Sequence, residues 1–339
     1  MINYRRYKGG DEKLIIKLYK EVFNKDLPIQ YWQWKYNRFP KSKKYIFLAF
    51  DKSRCIGQYA LIDFELNAFG KTIPALLSLD SMIHPHYQGQ NIFTKLVEYA
   101  KKNTKSQQYP SITFLNENSI SVYTKKFNWK YLGNIPVYCS PLSLIQLRNT
   151  NKILYFLIKP FSLTLNYISS TTKGISLHRI KSFDEVIEHK CNKNNRFYSI
   201  SRNKEFLDWR YLKSPKDYQC FNIIYKMDLI GYCVIKVEEK FGLQFTWIMD
   251  LFVDEEYVNY FDNVLNAIAD KYFLKSDFIT SLLPNEYYKK YYAKSVFFKI
   301  PQFLFPHEFY FCASKNHSNK TNIFKLENWY MTWSLNDVI

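Results

Sequence analysis

The transition from a strand to a helix at residues 83–93 constrains the fold more than any other feature of this chain. A strand-like run ends at Ile83-His84-Pro85, and Tyr87-Gln-Gly-Gln-Asn-Ile-Phe93 leads into a helix with one apolar face. Pro85 stops the strand, and Gly89 lets the backbone approach a ligand closely. Because the first amides of a helix lack intrahelical acceptors, this turn favours a bound phosphate. Any strand-to-helix turn shares that property, so the turn alone does not identify a ligand.

The order of predicted elements around this turn indicates the fold class. Apolar spacing predicts a helix after Asp11 and a second helix after Pro28, followed by three strand-like segments up to Met82. Helix 90–102, a strand, a short helix and a last strand at 129–138 complete the first part. The order α-α-β-β-β-α-β-α-β is typical of an α/β protein of the α+β type, with a mixed sheet and helices on both faces.

Two short motifs recur in the second half of the chain. Trp34-Lys-Tyr-Asn-Arg-Phe-Pro40 is echoed by Trp209-Arg-Tyr-Leu-Lys-Ser-Pro215, and the pair Ile56-Gly57 is echoed by Ile230-Gly231 at nearly the same spacing. Paired anchors of this kind indicate an internal duplication. Since aromatic residues at helical spacing usually pack in a core, we interpret both Trp helices as core elements.

Composition narrows the class of protein. The formal net charge of +18 suits an anionic partner, but abundant Lys, Asn, Ile and Tyr also reflect compositional drift. The six cysteines are scattered, and His84 and His86 lack a third ligand nearby, so we expect no metal site and a reduced, cytoplasmic protein. The apolar stretch from Ile153 to Ile168 is interrupted and shorter than the ~20 residues of a bilayer span. Contact with a membrane surface stays an open alternative.

The strand-to-helix turn resembles a known cofactor loop. Ile83-x-Pro-x-Tyr-Gln-Gly-Gln-Asn is similar to the acetyl-CoA pyrophosphate loop of the GNAT superfamily, V-x-P-x-Y-R-G-x-G-x-G. Gln88 stands at the Arg/Gln position and Gly89 matches, whereas Asn91 replaces a Gly and Phe93 replaces a Gly or Ala. Asn tolerates left-handed backbone better than most residues, and Phe93 is expected on the core side of the helix.

Two further motifs resemble a subgroup of that superfamily. Trp34–Pro40 fits the pattern W-[KR]-Y-x3-P, and Asn116-Glu-Asn-Ser119 fits N-E-N-S, as in two-lobed GNAT proteins from bacterial surface-polysaccharide clusters. The resemblance covers most of residues 1–140 and, weakly, the second half. It implies an N-acyltransferase that uses acetyl-CoA or another short acyl-CoA and no metal. Its acceptor would be the amine of an amino sugar, and we expect that sugar to be nucleotide-linked; O-acylation stays an alternative.

The resemblance also implies roles for named residues. Backbone groups of Met82 and Ile83 would align the pantetheine arm. Asp80 resembles the family's general base, with His84 as a competitor, and the alternative is that Asp80 only pairs with a Lys or a backbone group. The pyrophosphate would be held by the backbone amides of Gln88, Gly89, Gln90, Asn91, Ile92 and Phe93.

Two more positions carry implied roles. Tyr123 lies in a segment similar to L-Y-x-x-x-G-F, where the family's Tyr protonates the CoA thiolate; otherwise it packs in the core. Asn116, Glu117 and Asn118 follow a strand where GNAT sheets splay, so they are candidates for binding the acceptor or pantetheine. Alternatively, Asn118 or Ser119 caps the next helix.

The second half contains no such loop. Asp250-Leu-Phe-Val-Asp-Glu-Glu-Tyr257 leads into a helix without Gly, and its acidic residues would repel a pyrophosphate. We therefore predict tandem GNAT folds: a CoA-binding catalytic domain at 1–140, a helical linker at 141–174, and a degenerate domain at 175–339 that contributes to the acceptor cleft.

Two other functions stay open from the sequence. One is a Fem-type transferase that uses aminoacyl-tRNA; the CoA-type loop argues against it. The other is a non-catalytic protein that binds nucleic acid or another anion, with Tyr287-Tyr-Lys-Lys-Tyr-Tyr292 as a stacking surface or, alternatively, as an amphipathic helix. The favoured partner is a small molecule, without nucleic acid, and the oligomeric state is not determined.

Overall fold

The chain forms two compact units. The computed structural model describes residues 1–38, 44–104, 108–161, 172, 174–193, 196–301, 310–314 and 321–335. The first unit comprises Met1–Leu66, Thr72–Asn134 and Glu308–Lys325, and the second comprises Asn67–Lys71, Ile135–His307 and Leu326–Ile339. Neither unit is a single continuous stretch of chain.

The first unit is a mixed sheet with four helices. Its elements are β1 (Ile2–Arg6), α1 (Glu12–Phe23), α2 (Ile29–Asn37), β2 (Lys44–Asp51), β3 (Arg54–Ala68), β4 (Lys71–Ile83), α3 (Ile92–Lys102), β5 (Ser111–Leu115), α4 (Glu117–Lys126), β6 (Trp129–Asn134) and β15 (Tyr310–Ser314). The ends of β3 and β4 nearest their connecting turn fall within the second unit.

Alternation along the strands places helices on both faces of this sheet. In β2, Phe47 and Ala49 belong to a core with residues of α3 and α4, whereas Ile46, Leu48 and Phe50 belong to a core with residues of α1 and α2. Period-two alternation is what directs neighbouring side chains to opposite faces. The predicted mixed sheet covered on both faces is therefore confirmed.

The second unit repeats this architecture. Its elements are β7 (Val137–Pro141), α5 (Ile145–Thr150), α6 (Lys152–Ile158), β8 (Ile175–Arg179), α7 (Glu185–Lys193), β9 (Tyr198–Ile200), α8 (Lys204–Leu207), β10 (Gln219–Tyr225), β11 (Asp228–Lys240), β12 (Leu243–Val253), α9 (Phe261–Tyr272), β13 (Phe278–Leu282), α10 (Lys289–Tyr292) and β14 (Phe298–Lys299). One apolar core beneath α9 contains residues of β7, β8, β10, β11, β12 and β13.

The two sheets have the same strand plan. In the first sheet seven strands follow the order β1-β2-β3-β4-β5-β15-β6, and in the second the order is β8-β10-β11-β12-β13-β7-β14. The fourth and fifth strands are parallel in both sheets, as β4 with β5 and as β12 with β13. This agreement supports the predicted duplication.

Strands from distant parts of the chain enter both sheets, and in the first sheet β9 pairs with β3. In the first sheet β15 pairs antiparallel with β5 and β6, and in the second β7 pairs antiparallel with β13 and β14. The prediction of one strand over 129–138 is wrong, because the chain leaves β6 at Asn134 and enters the second sheet as β7 after Pro136. The boundary between the compact units lies between Asn134 and Ile135, and not at residue 140. The functional division into 1–140, 141–174 and 175–339 stays a prediction.

Two smaller observations complete the fold. The sequence pattern missed β1, which pairs antiparallel with β2. In the described part of the chain, no helix has the length and apolar character needed to cross a membrane.

Candidate active site

A distortion in β4 marks the centre of the candidate site. Asp80 adopts a left-handed backbone conformation with φ of 47°, although it lies inside a strand. Its carbonyl accepts a hydrogen bond of 3.0 Å from the Gln58 side chain. A non-glycine residue in this conformation costs about 1–2 kcal/mol, and such strained positions concentrate at functional sites.

The ladder between β4 and β5 is short. Registered parallel pairs in the described residues join only Leu76 with Ser111 and Leu77 with Ile112. Next to them, the Thr113 hydroxyl donates to the carbonyl of Ser78 at 3.0 Å. β4 runs on for several residues beyond this point, so the part that contains Asp80 lies beyond the registered pairs with β5.

The carboxylate of Asp80 is held by two side chains of α2. Lys35 Nζ lies 2.8 Å from Asp80 Oδ2, and the Tyr36 hydroxyl donates to the same oxygen at 2.6 Å. The Lys35 side chain is 7% exposed, whereas that of Asp80 keeps 22% of its surface exposed. Burial, and then the charge of Asp80, raise the pKa of Tyr36 well above its usual value. The expected alternative, a Lys pairing with Asp80, is therefore present.

The contacts of Lys35, Tyr36 and Gln58 with Asp80 were not predicted from the sequence. Trp34 and Tyr36 are buried, as the interpretation of a core helix requires, but the polar ends of Lys35 and Tyr36 reach the strand acid. The available signal was a lysine between two core aromatics, because a buried lysine needs a carboxylate partner. Two residues of the motif, Phe39 and Pro40, lie outside the described residues.

His84 is tied to the protein through its ring. Its Nδ1 faces the amide of His86 at 3.2 Å, and its Nε2 lies 2.7 Å from the Arg54 guanidinium and 3.6 Å from Glu21. Burial, followed by the charge of Arg54, lowers the pKa of His84 below its usual value. A neutral imidazole accepts through one nitrogen only, so these two contacts alternate with the tautomer. The arrangement gives His84 a role in bracing the end of β4.

The turn after β4 contains two left-handed residues. A single 3₁₀ turn at Pro85–Tyr87 is followed by Gly89 with φ of 76° and Asn91 with φ of 60°. Asn91 thus adopts the conformation that its glycine counterpart would favour, and α3 begins directly after it, two residues later than predicted. The Gln88 and Gln90 side chains donate to the carbonyls of Ile83 and His86 at 3.1 Å and shape the turn.

Backbone amides at this turn have the character that an anion site needs. The Gln88 amide donates to the carbonyl of Pro85 at 3.2 Å, so it is already engaged within the turn. Within the described residues, no hydrogen bond is donated by the next amides, which belong to Gly89, Gln90, Asn91, Ile92 and Phe93. An anion at the start of α3 would supply those acceptors.

Phe93 faces the core, as expected. Its ring centroid lies 6.1 Å from that of Tyr59, 5.9 Å from that of Tyr123 and 5.7 Å from that of Phe127. The bulky side chain therefore anchors α3 on the sheet, while its backbone amide remains at the helix start. Ile92 is buried on the same helix.

Tyr123 joins α4 to β4. Its side chain is buried, and its hydroxyl lies 3.2 Å from Ser78 Oγ and 3.0 Å from Ser81 Oγ. Burial raises the pKa of Tyr123 above its usual value, so the phenol carries its proton at neutral pH. The two serines flank the distorted part of β4, and the sequence analysis did not identify either of them.

The segment after β5 serves first as a helix cap. The side chain of Asn116 accepts from the amide of Ser119 at 3.1 Å and from its hydroxyl at 2.9 Å. The expectation that Asn118 or Ser119 caps α4 is therefore wrong, because Asn116 occupies that position. Glu117 is exposed in the first turn of α4, and Asn118 follows it in the same turn.

Metal ligands do not cluster in the described part of the chain. No group of three or more His, Cys, Asp or Glu side chains there is placed to hold an ion. The six cysteines are buried and unbonded, and burial raises the pKa of Cys55 to about 12, which disfavours a thiolate nucleophile.

Comparison with protein families decides the nature of this unit. Residues 3–132 match the family model of the acetyltransferase (GNAT) domain. Over these residues the chain is similar to a GNAT acetyltransferase domain. The prediction of an acyl-CoA-dependent N-acyltransferase is thereby confirmed at the level of this domain. Among curated protein sequences, none matches the chain.

Solved structures share the fold of this chain over most of its length. A GCN5-related N-acetyltransferase from Anabaena variabilis aligns with a TM-score of 0.64 at 11% identity, covering 92% of this chain and 72% of its own. N-myristoyltransferase from Saccharomyces cerevisiae, with bound myristoyl-CoA, aligns at 0.60 and 9% identity, covering 92% and 82%. A putative acetyltransferase from Pyrococcus horikoshii aligns at 0.58 and 11% identity, covering 98% and 93%. At these identities the likeness concerns the fold alone.

Proposed function

We propose that this GNAT protein transfers an acetyl or other short acyl group from acyl-CoA to the amine of a nucleotide-linked amino sugar used in surface glycans. The observation that carries the CoA part is the run of five amides from Gly89 to Phe93 at the start of α3. These amides suit the pyrophosphate of CoA, because they combine open donors with the positive end of a helix dipole.

The distorted strand suits the rest of the cofactor. We assign the alignment of the pantetheine arm to backbone groups of Met82 and Ile83, which lie between Asp80 and the turn. Acyl-CoA supplies the thioester, whose carbonyl carbon is attacked while the CoA sulfur leaves. Tyr123 is suited to protonate that sulfur, since its phenol keeps its proton and reaches β4 at Ser81.

Asp80 is the residue we assign to the acceptor. The attacking amine must lose a proton, and a nearby carboxylate can attract the ammonium form and accept that proton. Lys35 and Tyr36 both bind Oδ2 and fix the orientation of the carboxylate, while part of its surface stays exposed. In this proposal Lys35 and Tyr36 are positioning residues, and His84 supports the strand end.

The identity of the acceptor rests on the Trp34 and Asn116 motifs and on charge. A net charge of +18 favours a phosphate-bearing substrate over a neutral sugar. Glu117, exposed beside the capped start of α4, is the side chain of that segment that we place toward the acceptor amine. We place the reaction in the cytoplasm, where acyl-CoA and nucleotide sugars are made.

Calorimetric titration with acetyl-CoA tests the loop directly. We expect the full chain to bind acetyl-CoA and Asn91→Asp to bind it roughly 10- to 100-fold more weakly, because a carboxylate is placed at the start of α3. Asn24→Asp is the matched control: Asn24 is also an exposed, left-handed Asn at a helix end, with φ of 52°. Failure of the native protein to bind acetyl-CoA would contradict the proposal.

The acceptor is tested by following release of the CoA thiol with a panel of amino sugars, free and nucleotide-linked. We expect the nucleotide-linked forms to be acetylated faster. Binding of aminoacyl-tRNA without acetyl-CoA would instead assign the chain to a Fem-type reaction. Salt-sensitive binding of any nucleic acid without CoA would assign it to a binding function.

A further inference from the structure

A short helix of the second unit exposes nearly all of its apolar side chains. None of the residues of α6 is buried, although six of its seven residues are apolar or aromatic. Ile153, Phe156 and Leu157 are 78%, 69% and 65% exposed. Their spacing of three and four residues places them on one face of the helix. A face of this kind is costly in water unless something covers it.

A hairpin turn adds a second exposed apolar group beside this helix pair. Phe241, in the turn between β11 and β12, is 96% exposed and has φ of 56°. A Cβ added to Gly242 would lie 3.7 Å from the Cγ2 of Thr150, so the turn lies next to the end of α5. α6 begins two residues after that end. The chain therefore brings two exposed apolar elements into one neighbourhood.

A buried carboxylate fixes this neighbourhood to the sheet. Asp277 is 1% exposed, and its Oδ1 accepts from the amides of Gln146 and Leu147 at 2.8 and 3.1 Å. Its Oδ2 accepts from the amide of Gln244 at 2.9 Å. The Asp277 side chain thus connects the first turn of α5 to the start of β12. The exposed groups therefore lie on elements that are held in place by buried hydrogen bonds.

The charges around α6 have one sign. No Asp or Glu stands anywhere between Glu117 and Asp184 in the sequence, whereas Arg148, Lys152 and Lys159 stand within or beside α5 and α6. In the hairpin, Glu238 is paired with Lys236 and Lys240. Glu239 adds one exposed acid to that hairpin, so cations outnumber acids around the exposed apolar groups. Such a surface suits the interface of an anionic bilayer, where apolar side chains enter the boundary region and cations meet the headgroups.

We propose that α6 and the β11–β12 turn form a docking surface for an anionic membrane. We call Ile153, Phe156, Leu157 and Phe241, together with Arg148 and Lys152, the membrane-docking surface. Binding would be peripheral and reversible, with the apolar side chains inserted at headgroup depth. The inference goes beyond the acyl transfer proposed above and does not depend on it, because it rests on the second unit alone.

Cosedimentation of the full chain with vesicles tests the inference. We expect binding to vesicles of phosphatidylcholine and phosphatidylglycerol in equal parts, much weaker binding to phosphatidylcholine alone, and loss of binding as salt is raised. Ile153→Ser, Phe156→Ser and Leu157→Ser combined should weaken binding about tenfold or more. Phe241→Ser should weaken it less. Met227→Ser is the matched control, since Met227 is 94% exposed in the turn between β10 and β11.

Three results would overturn the inference. The native protein could stay in the supernatant with every vesicle, or the triple variant could bind as well as the native protein. Light scattering could also show a dimer that the triple variant dissociates, without vesicle binding, which would assign the surface to a second copy of the chain. The substituted side chains are exposed, so thermal unfolding of the variants should match the native protein, and the acetyl-CoA titration gives an independent check of the first unit.

Discussion

The two units place an aspartate at the same point of the same strand plan and use it differently. Asp80 lies in the fourth strand of the first sheet, and its side chain is 22% exposed beside Lys35. Asp250 lies in the fourth strand of the second sheet and is fully buried, where it binds Arg202 at 2.9 Å, Tyr232 at 2.6 Å and Thr332 at 2.8 Å. One acid keeps part of its surface exposed, whereas the other is enclosed by protein donors.

The turns that follow these two strands also differ, since only the first has the backbone of a candidate anion site. The first contains Gly89 and Asn91 in left-handed conformations and leaves amides open at the start of α3. In the second unit the corresponding segment is a 3₁₀ turn at Glu255–Tyr260, and no residue there has positive φ. Two acids of this segment form ion pairs within the protein: Asp254 pairs with Lys190, and Glu255 pairs with Arg196 at 2.7 Å. The two units thus share the strand plan, while the proposed anion site depends on a few residues of one turn.

The largest expected effect comes from removing the charge of Asp80. Asp80→Asn should lower kcat roughly 10²- to 10⁴-fold, because the substrate amine loses the carboxylate that accepts its proton. Steady-state kinetics of thiol release measure this change, and urea unfolding controls for folding. Retention of most of the activity would mean that Asp80 only anchors Lys35, and the contrast with Asp250 would then disappear.

The same substitution in the second unit should act on stability. Asp250→Asn leaves the Arg202 guanidinium, whose side chain is 3% exposed, without its counter-charge. Breaking a buried ion pair in this way costs about 3–5 kcal/mol in the free energy of unfolding. Urea unfolding measures it, and a loss below that of Asp80→Asn would contradict the assignment of Asp250 as a structural residue.

The two glycines of the repeated Ile-Gly pair should differ in tolerance. A Cβ on Gly231 would lie 2.0 Å from the backbone oxygen of Phe252, which cannot move aside, whereas a Cβ on Gly57 meets the flexible end of Ile83 at 2.6 Å. Gly231→Ala should therefore cost about 1–3 kcal/mol or more, and Gly57→Ala less. Thermal unfolding of the two variants ranks them, and equal losses would show that the strand spacing differs from this description.

The smallest expected effect concerns the leaving group. Tyr123→Phe should lower kcat about tenfold, because a thiol with a pKa of ~8.5 leaves without much assistance at neutral pH. Burial raises the pKa of Tyr123 above its ordinary value of ~10, so the phenol stays protonated up to at least that pH. Titration of this phenol should therefore not lower the native rate at any pH below ~10. An unchanged rate for the variant would restrict Tyr123 to packing between α4 and β4.

Local patterns predicted the parts of the fold that depend on local physics. Helices α1 and α3 and the turn before α3 were predicted, because the apolar face of a helix and the residues that favour a left-handed turn are local features of the sequence. The exchange of β7 and β15 was not visible, because pairing between distant strands leaves no periodic signal. β1 was not predicted, because Ile2-Asn-Tyr-Arg-Arg6 lacks a clear alternation of apolar and polar residues.

The candidate site was predicted in the same uneven way. Asp80 and the loop were proposed as site residues from motif and spacing, and their roles stay predictions. The helix that carries Lys35 and Tyr36 was interpreted as core, because helical spacing describes packing and not the contacts at the end of a side chain. Ser78 and Ser81 lie within an ordinary strand sequence, and only the fold brings them to Tyr123.

The central claim is that the turn at Gly89 and Asn91 recognises the pyrophosphate of CoA. The most direct test compares the affinities of native protein and Asn91→Asp for acetyl-CoA and for S-acetyl-pantetheine, which lacks the pyrophosphate. We expect the native protein to prefer acetyl-CoA strongly, and the variant to lose most of that preference while binding S-acetyl-pantetheine as the native protein does. An equal loss of affinity for both compounds, or no loss for either, would contradict the claim.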